Sequence, residues 1–168
     1  MLLPDINDPN RNVLREMWNR LSALPGGRRA FSKFVGMAAP YTGTIHAHVE
    51  ELGRRADGSG FCKVSLEDRR SVRNHLNSIH AIALANLAEV AGNLALAYTQ
   101  PDDARFIVKG FDIEYLKKAR GKITAHGQCP PVPTSERAEY AVEVVIRDEF
   151  ANDLTKATLR TLVGPKRG

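Results

Sequence analysis

At 168 residues with 43% hydrophobic content, the chain is long enough for one well-buried core and too short for two large ones. Its 24 Lys and Arg against 19 Asp and Glu leave a net charge of +5. The excess is spread along the chain, apart from small clusters such as Arg69-Arg70 and Lys117-Lys118, which suits small acidic ligands and argues against a nucleic-acid-binding protein.

The opening residues Met1-Leu2-Leu3-Pro4-Asp5 lack the charged and long apolar regions of a signal peptide, which predicts a cytoplasmic protein. Residues 9–24 then place Leu14, Met17, Trp18 and Leu21 on one stripe at helical spacing. Pro25-Gly26-Gly27 breaks that helix, and residues 28–37 read as a second one carrying Phe31, Phe34 and Val35 on one side. From Tyr41 the period changes to two: Tyr41, Ile45, Ala47 and Val49 alternate with polar residues. The Asp57-Gly58-Ser59-Gly60 turn leads into Cys62, Val64 and Leu66, which completes a predicted hairpin.

Residues 79–98 approach membrane-spanning length, but Asn86, Glu89 and Asn93 interrupt them, and a carboxylate in mid-bilayer is costly. A buried helix of a soluble protein, capped by Ser78 and running to Tyr98, is the better reading. After it, residues 105–116 form a strand whose phase changes at Gly110, where a bulge reconciles Phe106 and Val108 with Phe111, Ile113 and Tyr115. Three further strands carry Ile123, Ala125 and Cys129, then Tyr140, Val142, Val144 and Ile146, then Ala157, Leu159, Thr161 and Val163 on their inner faces. Residues 148–153 read as the connection between the last two strands, and Pro165-Lys166-Arg167-Gly168 as a loose basic tail. The two cysteines, Cys62 and Cys129, lack CxxC spacing and read as reduced core thiols.

A helix apolar nearly all round has to be enclosed by other structure, and two strands before it with four after supply a sheet to do so. The expected fold is therefore α+β of the hotdog type: a curved antiparallel sheet of about six strands wrapped around one long central helix. The expected organisation is an N-terminal helical extension over residues 1–40, a hotdog domain over 41–163 and a tail over 164–168.

Asn86, Glu89 and Asn93 share one narrow arc of the enclosed helix. Burying an unpaired carboxylate costs several kcal/mol or raises its pKa, so Glu89 calls for partners, a wet site or a subunit boundary. Upstream, Arg73-Asn74-His75-Leu76-Asn77-Ser78-Ile79-His80 runs into the helix N-terminus, where free N–H groups and the positive end of the dipole suit an oxyanion. The other histidines, His46, His48, His75 and His126, lack a carboxylate or cysteine pattern that would complete a metal site, so none is expected.

The spacing Asn74-x5-His80-x8-Glu89 resembles the signature of hotdog thioesterases of the phenylacetyl-CoA thioesterase type. Ile113-Glu114-Tyr115-Leu116-Lys117-Lys118-Ala119-Arg120-Gly121 is similar to that family's third strand and its turn, and the likeness spans roughly residues 41–163. Asn-Leu-Ala-Glu over residues 86–89 most resembles a branch defined only as a domain of unknown function. The resemblance implies acyl-CoA hydrolysis at a dimer-interface site, with the N–H of Ala81 and His80 holding the thioester carbonyl. It also implies that Glu89 is general base or nucleophile, that Asn74 places the water or carboxylate, and that Lys117, Lys118 and Arg120 meet coenzyme A phosphates. Coenzyme A would enter as part of the substrate with no separate cofactor. A homodimer, or a dimer of dimers, follows from the same likeness, with no nucleic-acid partner and no membrane insertion. Where the family carries glycines, this chain has Asn77, Ala81 and Ile82, which narrows the space around the oxyanion donor. A noncatalytic acyl-thioester or lipid-binding hotdog domain, a hotdog dehydratase, and an interaction or nucleic-acid protein using the N-terminal helices and net charge remain the alternatives.

Overall fold

A computed structural model describes residues 8–166. Helix α1 (Val13–Leu21) starts at Asn12, whose Oδ1 accepts from the Arg15 N–H at 3.0 Å and thereby satisfies one free donor of the first turn. The Trp18 ring of α1 is buried edge-on against Phe31 of α2 (Gly27–Ala38), with ring centroids 5.0 Å apart. Gly27 sits so close to α1 that a Cβ there would lie 1.7 Å from the Leu21 carbonyl oxygen, so only glycine allows this turn. The expected strand beginning at Tyr41 does not form. Pro40, set at the first position of a helical turn, starts the short α3 (Pro40–Gly43), and His46 adopts a positive φ of 47° before the sheet begins. His46 therefore precedes the strand on which His48 lies.

The sheet contains β1 (His48–Arg54), β2 (Gly60–Leu66), β3 (Ala104–Tyr115), β4 (Ile123–Cys129), β5 (Ala138–Asp148) and β6 (Asp153–Pro165). All neighbours are antiparallel, in the order β1-β2-β4-β5-β6-β3. The register of β3 against β6 shifts between Val108 and Gly110, the bulge expected from the change of phase. Inward residues alternate along the strands, as Ile123, Ala125 and Cys129 do on β4 and Val142, Val144 and Ile146 do on β5.

Helix α4 (Ala81–Thr99) runs across this sheet and touches all six strands. Its composition and length would permit a membrane span, yet most of it is buried inside the fold. Gly127 of β4 permits a close approach: a Cβ there would stand 2.4 Å from the Ala91 carbonyl oxygen. The N-cap is His80 rather than Ser78, because Ser78 is held below the helix by Asn74 while the His80 Nδ1 accepts from the Ile82 N–H at 3.1 Å.

Cys62 and Cys129 are buried and unpaired, and burial pushes the Cys129 thiol up to about 12. The C-terminal stretch is tied down at Lys166, whose Nζ donates to the carbonyls of Asp8 (2.6 Å) and Arg11 (2.7 Å). The loose tail is thus corrected at Lys166, while Arg167 and Gly168, like the opening residues 1–5 read above for a signal peptide, lie outside the described residues.

Candidate functional site

Everything around the start of α4 is arranged by the segment that precedes it. Asp68 accepts from the Arg73 Nε at 2.6 Å and from the Gly121 N–H at 2.9 Å, pinning this segment to the turn after β3. The Arg73 guanidinium holds the Asp68 carboxyl below its ordinary range. Arg73 and Ile79 then pair as an isolated antiparallel bridge, and the His80 N–H donates to the Val72 carbonyl at 2.8 Å. Asn74 organises the turn between them: its Oδ1 accepts from the N–H groups of Leu76 (2.9 Å) and Ser78 (3.3 Å) and from the Ser78 hydroxyl (3.2 Å). That turn carries Asn77 at a φ of 52°, one of the positions where the family resemblance expects glycine.

His80 is exposed, and because its Nδ1 accepts from Ile82, the neutral ring carries its proton on Nε2, free to donate outward. The Ala81 N–H makes no hydrogen bond to the described residues, as expected of a first-turn donor. Its carbonyl accepts from the Tyr115 hydroxyl at 3.0 Å, which ties the end of β3 to the helix start. A surface groove of about 340 Å³ lies here, lined among others by Asn74, Ala81, Leu84, Tyr115, Lys117 and Lys118. Lys117 and Lys118 are exposed. The Arg120 Nε donates to the Asn77 carbonyl at 3.2 Å, so it braces the Asn74 turn as well as adding charge.

Glu89 stands elsewhere. It is eight residues along α4 from Ala81, about 12 Å at 1.5 Å per residue, and it is exposed on the side of the helix the sheet does not cover. The structure therefore brings Asn74, His80, Ala81, Lys117, Lys118 and Arg120 together and leaves Glu89 apart from them within one chain. Asn93 Nδ2 approaches the Glu89 carboxylate at 3.5 Å, and Asn86 is buried with its Nδ2 donating to the Tyr41 carbonyl at 3.3 Å. The expected burial of the whole polar stripe holds for Asn86 but not for Glu89.

Sequence reasoning missed a second hollow of about 300 Å³ between α1, α2 and α4, whose apolar wall includes Phe34, Val35, Val90, Leu94 and Phe106. Asn93, read above only as part of the polar arc with Asn86 and Glu89, lines it. Among the described residues no three His, Cys, Asp or Glu side chains cluster as a metal site would require.

A curved six-stranded antiparallel sheet closed around one long helix, with a groove at that helix's N-terminus, defines a protein of the hotdog fold. Residues 27–163 match the family described as Domain of unknown function (DUF4442), and the chain belongs to it. No curated protein matches. Among solved structures, a genomics crystal structure is 28% identical with a TM-score of 0.73, covering 90% of this chain and 98% of its own. A thioesterase from Haemophilus influenzae is 14% identical with a TM-score of 0.68, covering 81% of this chain and 92% of its own. A thioesterase family protein from Silicibacter pomeroyi is 12% identical with a TM-score of 0.66, covering 80% and 96% respectively.

Proposed function

We propose that this protein hydrolyses acyl-CoA thioesters as a homodimer, each site combining the α4 N-terminus of one subunit with Glu89 of the partner subunit. The observation that carries this reading is the free Ala81 N–H at the head of a 19-residue helix, opening onto a groove edged by Lys117 and Lys118. An acyl carbonyl placed there gains the N–H, the helix dipole and the outward Nε2–H of His80 as its charge grows. The basic pair lies at the rim, where coenzyme A phosphates would rest. Twelve ångströms, roughly, between Ala81 and Glu89 along the helix is too far for one chain's carboxylate to reach the carbonyl its own N–H holds. A second copy, packed helix against helix, supplies the missing acid.

In the hydrolysis, a carbon–oxygen bond to water forms, the carbon–sulfur bond breaks, and the thiol leaves with a proton. Glu89 either takes the proton from the attacking water or attacks the carbonyl itself, in which case water cleaves the resulting anhydride. The Asn74 side-chain carbonyl is already used by three donors, so its Nδ2 is the part left to orient water or carboxylate.

Thiol release from short, medium, long and aromatic acyl-CoAs tests this, with wild type and Glu89→Gln compared. A fall of about 10²–10⁴-fold in kcat is expected for the variant. A variant as active as wild type would remove Glu89 from the chemistry. One observation favours a second reading, acyl-thioester binding without turnover: Ala81 and Ile82 stand at the helix start where the resemblance expects glycines, and Ile82 is 54% exposed there. Tight acyl-CoA binding by a wild type that releases no thiol would select it.

A further inference from the structure

The hollow between α1, α2 and α4 has an apolar wall and a one-sided set of charges. Val35 and Ala38 of α2, Val90, Leu94 and Ala97 of α4 and Phe106 of β3 build the wall; Arg105 and Lys166 line it too, and no Asp or Glu does. An adjoining hollow of about 600 Å³ shares Arg105, Phe106 and Lys166 and adds Arg137, again without an acid. Backbone carbonyls hold the first two cations at this end of the sheet. The Arg105 Nε donates to the Pro165 carbonyl at 3.2 Å, and the Lys166 Nζ to those of Asp8 and Arg11 at 2.6 and 2.7 Å. Carbonyls position the charges but do not neutralise them, and none of Arg105, Arg137 and Lys166 joins an ion pair among the described residues. The acids next to Ala104 in the chain are already engaged: Asp102 pairs with Arg15, and Asp103 accepts from the Ser135 hydroxyl at 2.7 Å.

We propose that this hollow binds the free anion of a long-chain carboxylic acid, its tail against α2 and α4 and its head at Arg105 and Lys166. A volume of about 300 Å³ stands at the small end of ligand sites and suits one alkyl chain rather than the two of a membrane lipid. Among the described residues the Arg105 guanidinium makes only its Nε bond, so its Nη groups are left to take both oxygens of a carboxylate. Lys166 has used two of its three N–H donors and keeps the third. A neutral head gains neither charge-assisted bond, and a cationic head is repelled. The site is separate from the groove at the start of α4, because Val90 and Ala97 stand about 13 and 24 Å along the helix from Ala81. It goes beyond the thioester reading, since a free acid needs no coenzyme A to fill it.

Dodecanoate, dodecanol and dodecylammonium, each titrated below its micelle concentration into the full-length protein, provide the test. Wild type is expected to bind dodecanoate at least about tenfold more tightly than dodecanol, and dodecylammonium more weakly still. Arg105→Gln combined with Lys166→Gln, whose amide can still donate to the Asp8 and Arg11 carbonyls, is expected to bind dodecanoate no more tightly than dodecanol. Ala38→Phe, at the last residue of α2, fills the hollow and is expected to weaken both ligands at least about tenfold with an unchanged circular dichroism spectrum. Arg105 is exposed, so Arg105→Gln alone, expected to shrink the preference for dodecanoate, decides the matter if either other variant fails to fold. Equal binding of dodecanoate and dodecanol by wild type, binding of neither, or tighter binding of dodecylammonium overturns the proposal. So does a preference untouched by the charge changes, or a folded Ala38→Phe that holds dodecanoate as wild type does. No thioester is present in these titrations, so their outcome is independent of thiol release.

Discussion

His80 performs two separable tasks, and the distinction is testable. Its Nδ1 caps α4 by accepting from the Ile82 N–H, while its Nε2–H is free to face an acyl carbonyl. Asparagine is among the best N-cap residues, so His80→Asn should preserve the cap and leave the urea-unfolding free energy within about 0.5 kcal/mol of wild type. The same variant loses the second donor at the carbonyl, and kcat for thiol release is expected to drop by about 10²-fold. A stable variant with wild-type kcat would leave His80 a cap and nothing more. The capping role was not legible from the sequence, where Ser78 is the more favourable cap residue by type. The Asn74 turn, which claims the Ser78 hydroxyl and N–H, decides the matter in favour of His80.

Between residues and elements, Asp68 is the joint that keeps the Asn74 turn against the turn after β3, where Lys117 and Lys118 lie. Its folded pKa is lowered, chiefly by the hydrogen bond from Arg73, so the unfolded chain binds the proton more readily. The stabilisation is therefore fully present above the ordinary value of 3.8 and is lost as pH falls through the lower folded value. Asp68→Asn should cost about 1–2 kcal/mol at neutral pH, flatten the acid limb of the stability profile, and raise KM for acyl-CoA by loosening the groove. Denaturant midpoints between pH 2 and 7 check the first two effects and steady-state kinetics the third. The elements themselves differed in how much their residues announced. Helix α4 was readable because a segment apolar on all sides has one solution, and the β3 bulge because the phase of Phe106 and Val108 cannot continue through Gly110 to Phe111. Residues 41–47 misled, since alternation over so short a stretch cannot outweigh Pro40, whose fixed φ starts a helical turn. The amphipathic stripes of α1 and α2 were visible, but not their destination: Trp18, Phe31 and Phe34 belong to the same core as α4, and Phe34 lines the hollow beside it as well.

At the scale of the whole molecule, the sheet ends in a 12-residue edge strand, β3, hydrogen-bonded only to β6. A long edge is a template for pairing, and monomeric proteins shorten, bend or charge such edges. Here the inward side chains Phe106, Val108, Phe111 and Ile113 are only half-buried, so both the backbone edge and an apolar strip beside it are left for a partner. A second copy aligned antiparallel on β3 would complete the ladder and bring the two uncovered α4 faces, each with an exposed Glu89, toward one another. That is the arrangement the proposed two-chain site would use, with Ala81 and Glu89 about 12 Å apart along one helix. Ile113→Lys places an ammonium where the two copies would close, a desolvation that an interface of this kind does not tolerate. Equilibrium sedimentation is expected to give a dimer for wild type and a monomer for the variant, with circular dichroism unchanged. Thiol release should vanish with the dimer, because each half-site keeps its oxyanion donor but loses the neighbour's carboxylate. A monomeric variant that still turns over would mean that one chain suffices, and Glu89 would then have to be replaced by an acid nearer its own helix N-terminus.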